Sequence, residues 1–116
     1  VYIGTHDNDT ALGWYLAQDK AVKKRIRKYL ALDKSTSDSK VVRELIRCAY
    51  ASVSENCVIQ MQDWLCLDNS ARMNIPSTIG GGNWAWRMDK DACTKELAKA
   101  MKKMAKTYFR KVPKGE

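Results

Sequence analysis

The chain opens on a short apolar lead-in, Val1-Tyr2-Ile3, that gives way to the polar run Thr5-His6-Asp7-Asn8-Asp9-Thr10. That pattern predicts a short strand followed by a helix, with Thr10 or Asp9 placed to cap a first turn through ALGWYLAQ. Helical spacing returns over residues 19–32, where Val22, Ile26, Tyr29 and Leu30 share one face. DKSTSDS is polar and aperiodic, a loop ending in a cap near Asp38 or Ser39. From residue 40 to about 54, Val42, Leu45, Ile46, Ala49 and Val53 repeat at helical spacing again. NCVIQMQ, residues 56–62, reads as a second short strand. An irregular stretch over residues 63–86 carries Pro76 and the run Gly80-Gly81-Gly82. The last element, residues 89–111, is an amphipathic helix with Leu97, Met101, Met104 and Tyr108 inward and lysines outward.

Strands that alternate with helices imply parallel β/α units, and parallel sheets are covered on both faces. Two strands alone do not make such a sheet. The pattern therefore predicts the last portion of a larger α/β domain, without internal repeat or second domain. In α/β architectures chemistry sits beyond the carboxyl ends of the strands. His6 to Asp9 after the first strand and Gln62-Asp63 after the second should then face one pocket. A connection as long as the 63–86 stretch favours a functional loop over a linker.

Composition narrows this. At 116 residues with 45% apolar positions and four tryptophans, the chain is one packed unit and not a disordered one. The formal charge of +8 raises the prospect of a polyanionic partner. Its cations fall mainly in two helical segments, around Lys23 to Lys28 and Lys95 to Lys106, and read as solvated helix faces without a nucleic-acid-reading element. Cys48, Cys57, Cys66 and Cys93 form no C-x-x-C, and the single histidine is distant, so they read as buried thiols of a reduced, cytoplasmic protein and not as a zinc site. No signal peptide and no apolar run of membrane-spanning length is apparent. Asn8-Asp9-Thr10 matches an N-glycosylation acceptor, which has no meaning in that compartment.

The strand-end cluster is the first candidate for chemistry. An ionised aspartate accepts hydrogen bonds from neighbouring hydroxyls and supplies negative charge to a developing oxocarbenium ion. The plainer role is helix capping, which suits Asp9, whereas Asp7 at the strand end suits a site. His6 can act as base, donor or ligand, but alone it is a poor sign of a metal. A Cys–His nucleophile has no local signature. Trp84 and Trp86, beside Asn83 and Arg87, can stack on flat sugar or base faces or simply pack, and the glycine run permits close backbone approach without forming a phosphate-binding loop.

Three stretches, GTHDNDTALGWY, MQDWLCLDNSARMNIPST and GNWAWRM, resemble in order and spacing the C-terminal part of the 4-α-glucanotransferases, or amylomaltases. The resemblance implies an α/β fold: strand 7 to helix 8 of a (β/α)8 barrel of the α-amylase-like group, with residues 1–116 a segment of one catalytic domain. It implies retaining transfer of an α-1,4-glucan segment to the 4-hydroxyl of another glucan. Three carboxylates serve that family, and the THDND motif makes Asp7 resemble the transition-state-stabilising one and His6 its sugar-binding neighbour. Asn74 in ARMNIP, with Asn83 and Trp84, falls to substrate binding. Ser77 stands where many members have glycine, and Gln60 where proline is frequent.

The nucleophile and acid/base of the family layout belong upstream of Val1, so a preceding barrel segment is expected and the chain alone is expected to be inactive. The implied partners are α-1,4-glucans, with no cofactor, metal, membrane or nucleic acid. Two other readings stay open: a glucan-binding fragment without catalysis, and a basic nucleic-acid-binding domain.

Overall fold

The computed structural model describes residues 1–110, and they form an α-helical unit built round one central helix. Helix α1 is Ala11–Ala17, α2 Lys20–Tyr29, α3 Asp38–Tyr50, α4 Met61–Trp64 and α5 Lys95–Thr107, with a single 3-10 turn at Asn69–Ala71. Central α3 packs against α1, α4 and α5. Its buried stripe of Val42 and Ile46 meets Ala11 and Trp64, and Leu97, Met101 and Met104 of α5 close the same cluster. Tyr15, Leu30 and Val41 form a second cluster beneath α2.

Local chemistry starts each helix. Thr10 caps α1 by accepting from the Gly13 N–H, Asp19 caps α2 and Thr94 caps α5. The cap of α3 is Ser37, just before the expected Asp38 or Ser39. α5 begins at Lys95, later than the expected residue 89, because Thr94 supplies the cap, and the expected end at Lys111 lies outside the described residues.

Both expected strands shrink to one parallel bridge between Tyr2 and Val58, with no longer strand among the described residues. Two short extended segments have no further partner to pair with here, and an isolated pair is only marginally stable. The second one also ends early, since α4 begins at Met61 and takes Gln62 and Asp63 into a helix.

Two apolar expectations fail. Tyr29 is 83% exposed, because Ile26 and Leu30 already fill the contact with Tyr15 and Val41. Val53 is fully exposed, because α3 has ended at Tyr50 and the helical period no longer governs it. There the Arg110 guanidinium collects the carbonyls of Tyr50, Ser52, Ser54 and Glu55 and stops the chain from continuing the helix. The four cysteines are free, with Cys48, Cys57 and Cys66 half-buried and Cys93 exposed, not uniformly buried as expected.

The start of α1 is the best-anchored point. The Ala11 N–H donates to Asp63 Oδ1 at 2.7 Å and the Thr10 N–H to Asn69 Oδ1 at 3.0 Å. Donors that a helix leaves unmet at its N-terminus are thus satisfied from a segment over fifty residues away. Gly13 makes room for this, since a Cβ there would lie 2.2 Å from Asn69 Oδ1.

Alanine is a better helix former than glycine by about 1 kcal/mol, yet Gly13→Ala is expected to destabilise the protein, because overpacking costs about 1–3 kcal/mol. A lower urea midpoint checks it.

Burial pushes the Asp63 carboxyl above its usual 3.8, against the pull of the Ala11 N–H. A raised carboxyl favours the protonated folded state. Its contribution is therefore whole below pH 3.8 and lost as pH climbs through the higher folded value. Asp63→Asn, whose oxygen can still accept from Ala11, is expected to gain stability relative to the native chain over that window. Urea midpoints compared from about pH 3 to 7 read this out.

Candidate functional site

Residues 5–9 leave the Tyr2 bridge as a tight turn closed by Asn8, whose Oδ1 accepts from the Thr5 N–H at 2.8 Å and from the Thr5 hydroxyl at 3.0 Å. The turn points His6 and Asp7 outward, both about half exposed on their side chains. The anchored start of α1 holds the turn against residues 72–75. There Arg72 donates from Nη2 to the Asp7 carbonyl at 2.7 Å, from Nη1 to Asp9 Oδ1 at 2.5 Å and from Nε to the Asn74 carbonyl at 2.8 Å. Asn74 Nδ2 donates to Asp7 Oδ1 at 2.7 Å, and the Asn74 N–H to the His6 carbonyl at 3.1 Å.

The loop that follows doubles back on itself. The Trp84 N–H donates to the Met73 carbonyl at 2.6 Å. Asn83 braces the interior of the loop, its Oδ1 accepting from the Ile75 N–H at 3.1 Å and its Nδ2 donating to Thr78 Oγ1 at 2.8 Å. Ser77, Gly80, Gly81, Gly82 and Trp84 all adopt left-handed backbone, with φ between 62° and 87°. The reversal sets the Trp84 ring against His6, with centroids 5.2 Å apart and planes tilted by 44°. Trp84 remains 53% exposed.

The structure thus gathers His6, Asp7, Asn74 and Trp84 at one rim. Asn83 lies in the same loop with its amide committed to the loop's own atoms. Asp9, expected as a cap, is the partner of Arg72, and Thr10 takes the capping. Gln62 and Asp63, expected beside the pocket, are buried in α4, where Gln62 Nε2 donates to the Ala71 carbonyl and Asp63 serves α1. Below the rim is an open cleft of about 560 Å³ lined by Ile3, Asp7, Asn8, Asp9, Trp14, Leu45 and Arg72 among others.

Two contributors escaped sequence reasoning. Arg72 sits inside the ARMNIP motif, and only its place next to Asn74 marked it. Trp14 reads as a helix position, and nothing in the pattern turned it toward the cleft. The electrostatics are simple: Arg72 neutralises Asp9, whereas Asp7 faces a neutral amide and, at 3.4 Å, His6 Nε2. A carboxylate paired with no guanidinium or ammonium, beside an aromatic ring and an amide, suits a hydroxyl-rich ligand. No group of three or more potential metal ligands occurs among the described residues.

Known proteins define the class. The sequence profile of the family described as 4-alpha-glucanotransferase matches residues 1–94. A 4-alpha-glucanotransferase of Streptococcus pneumoniae serotype 4 is 40% identical over 111 residues, covering 95% of this chain and 21% of the relative. A chloroplastic/amyloplastic 4-alpha-glucanotransferase of Solanum tuberosum is 39% identical over 113 residues, covering 95% and 19%. Among solved structures, the amylomaltase from Streptococcus agalactiae in complex with acarbose superposes with a TM-score of 0.84 at 32% identity, over 93% of this chain and 21% of that one. The chain belongs to the 4-alpha-glucanotransferase family. It spans about a fifth of the length of the relatives it matches. No helix of the described residues is long and apolar enough to cross a membrane.

Asn83→Ala is expected to release the loop at Ile75 and Thr78 with little loss of global stability, because these bonds are exposed. Faster proteolysis within residues 75–83 and altered tryptophan fluorescence, at an unchanged urea midpoint, are the signs to look for.

Proposed function

We propose that these residues form the strand-7 to helix-8 part of a (β/α)8 4-alpha-glucanotransferase, in which Asp7 is the carboxylate that holds sugar hydroxyls and stabilises the transition state. The observation that carries this reading is the Asp7–Asn74 pair beside the His6–Trp84 stack, at the end of the extended segment that bridges Val58. A glucose ring laid on the exposed part of Trp84 would present its hydroxyls to Asp7 and Asn74, with His6 as a further donor. As the glycosidic bond breaks, positive charge grows at the anomeric carbon, and a fixed carboxylate is more useful at that moment than before it.

Retaining transfer also needs a nucleophilic carboxylate and an acid/base on opposite sides of the scissile bond. In this reading both come from a preceding barrel segment, and the glycosyl unit passes from the nucleophile to the 4-hydroxyl of an acceptor α-1,4-glucan. Asn83 serves the substrate by shaping the loop. Four free thiols support a reducing compartment such as the cytoplasm. A glucan-binding segment without its own catalysis is the second reading.

The purified 116-residue chain is expected not to disproportionate maltotriose, as thin-layer chromatography of the products would show. Turnover above a buffer control sinks this reading. Titration with acarbose or maltooligosaccharides, followed by tryptophan fluorescence, is expected to show binding that Asp7→Asn weakens by about tenfold, the scale of one hydrogen bond to a charged group.

A further inference from the structure

We propose that Arg72 is the positioning residue of this site, setting the distance between the Asp7 carboxylate and the Asn74 amide while leaving the Asp7 charge free for the ligand. This rests on the glucan reading above and goes beyond it by assigning a residue that acts through Asp7 and Asn74.

The geometry points one way. Each of the three guanidinium nitrogens has a different partner: the Asn74 carbonyl, the Asp9 carboxylate and the Asp7 carbonyl. A single rigid plane therefore holds the backbone of residue 7 and the backbone of residue 74 at once. The Asp7–Asn74 bond of 2.7 Å joins the side chains of those same two residues. The guanidinium side chain is 19% exposed, so it is held in place and not waving in solvent.

The choice of counter-ion matters as much. Arg72 directs its charge at Asp9 and touches Asp7 only through the main chain. Were it to pair with the Asp7 carboxylate instead, that group would meet an incoming ring with its charge already matched by the guanidinium. Asp9 thus keeps the clamp electrically quiet. Lysine cannot substitute, because an ammonium is a point charge without the planar fork that reaches three acceptors in fixed directions.

The test uses the 116-residue chain with Arg72→Lys and Arg72→Met, and Lys24→Met on α2 as the control. Two signals are read: the side-chain amide protons of Asn74 by NMR without ligand, and the affinity for acarbose by tryptophan fluorescence. Arg72→Lys is expected to move the Asn74 amide resonances toward free-amide values and to weaken acarbose binding by about tenfold, as loss of the Asp7–Asn74 geometry requires. The control should change neither. Unmoved Asn74 resonances, or full affinity in a folded Arg72→Lys, overturn the proposal while leaving the glucan reading intact. A native chain that shows no acarbose binding overturns that reading, and the proposal with it. Loss of the folded state in both variants makes Arg72 a stability residue and also overturns the proposal.

Discussion

The unmet N–H groups at the start of α1 are the constraint on which the site depends. A helix exposes its first donors, and leaving them buried without partners costs about 1–3 kcal/mol each. Here Asp63 and Asn69 answer two of them, so burying Ala11 beneath α3 and α4 brings residues 63–69 against residues 10–11. Once that join is made, the preceding turn and the following 72–75 stretch have little choice but to lie side by side. Asp7 meets Asn74 because of hydrogen bonds made a few residues away from either.

Beyond the join, the chain spends strain to turn a corner. Non-glycine residues in left-handed backbone are uncommon, and Ser77 and Trp84 both adopt it within one loop. Ser77, at φ 63°, sits in a backbone setting where glycine is the residue without penalty. Trp84 bears its share in return for an orientation, since that backbone setting aims the indole at His6.

Much of the scaffold was legible beforehand. Helical periodicity located α2, α3 and α5 and named the buried Val42 and Ile46 and the half-buried Leu97, Met101 and Met104 that pack on them, because those residues repeat at a period that only a helix satisfies. Val53 misled because periodicity does not say where a helix stops, and Tyr29 because it does not say which residues of a face make the contact. The extended segments were legible as pattern but form a single bridge, since pairing is a property of neighbours and not of the segment. In the site, the THDND cluster and Asn74 were legible through chemistry and resemblance. Arg72 was not: its importance lies in three backbone and carboxylate contacts that only the folded chain creates. Asp9 shows the same limit, as residue type allowed a cap and the fold made it an ion-pair partner.

The lone bridge between Tyr2 and Val58 has a consequence for register. A ladder one rung long cannot hold two segments in alignment, because sliding by one residue sacrifices a single contact. Ile3 and Ile59 flank that rung and both pack on the core cluster. A one-residue slip would swing either of them outward and bring a neighbour in. The alignment of the two segments is therefore enforced from beneath, by where two isoleucines can find oil, while the anchored start of α1 holds the turn from its other end.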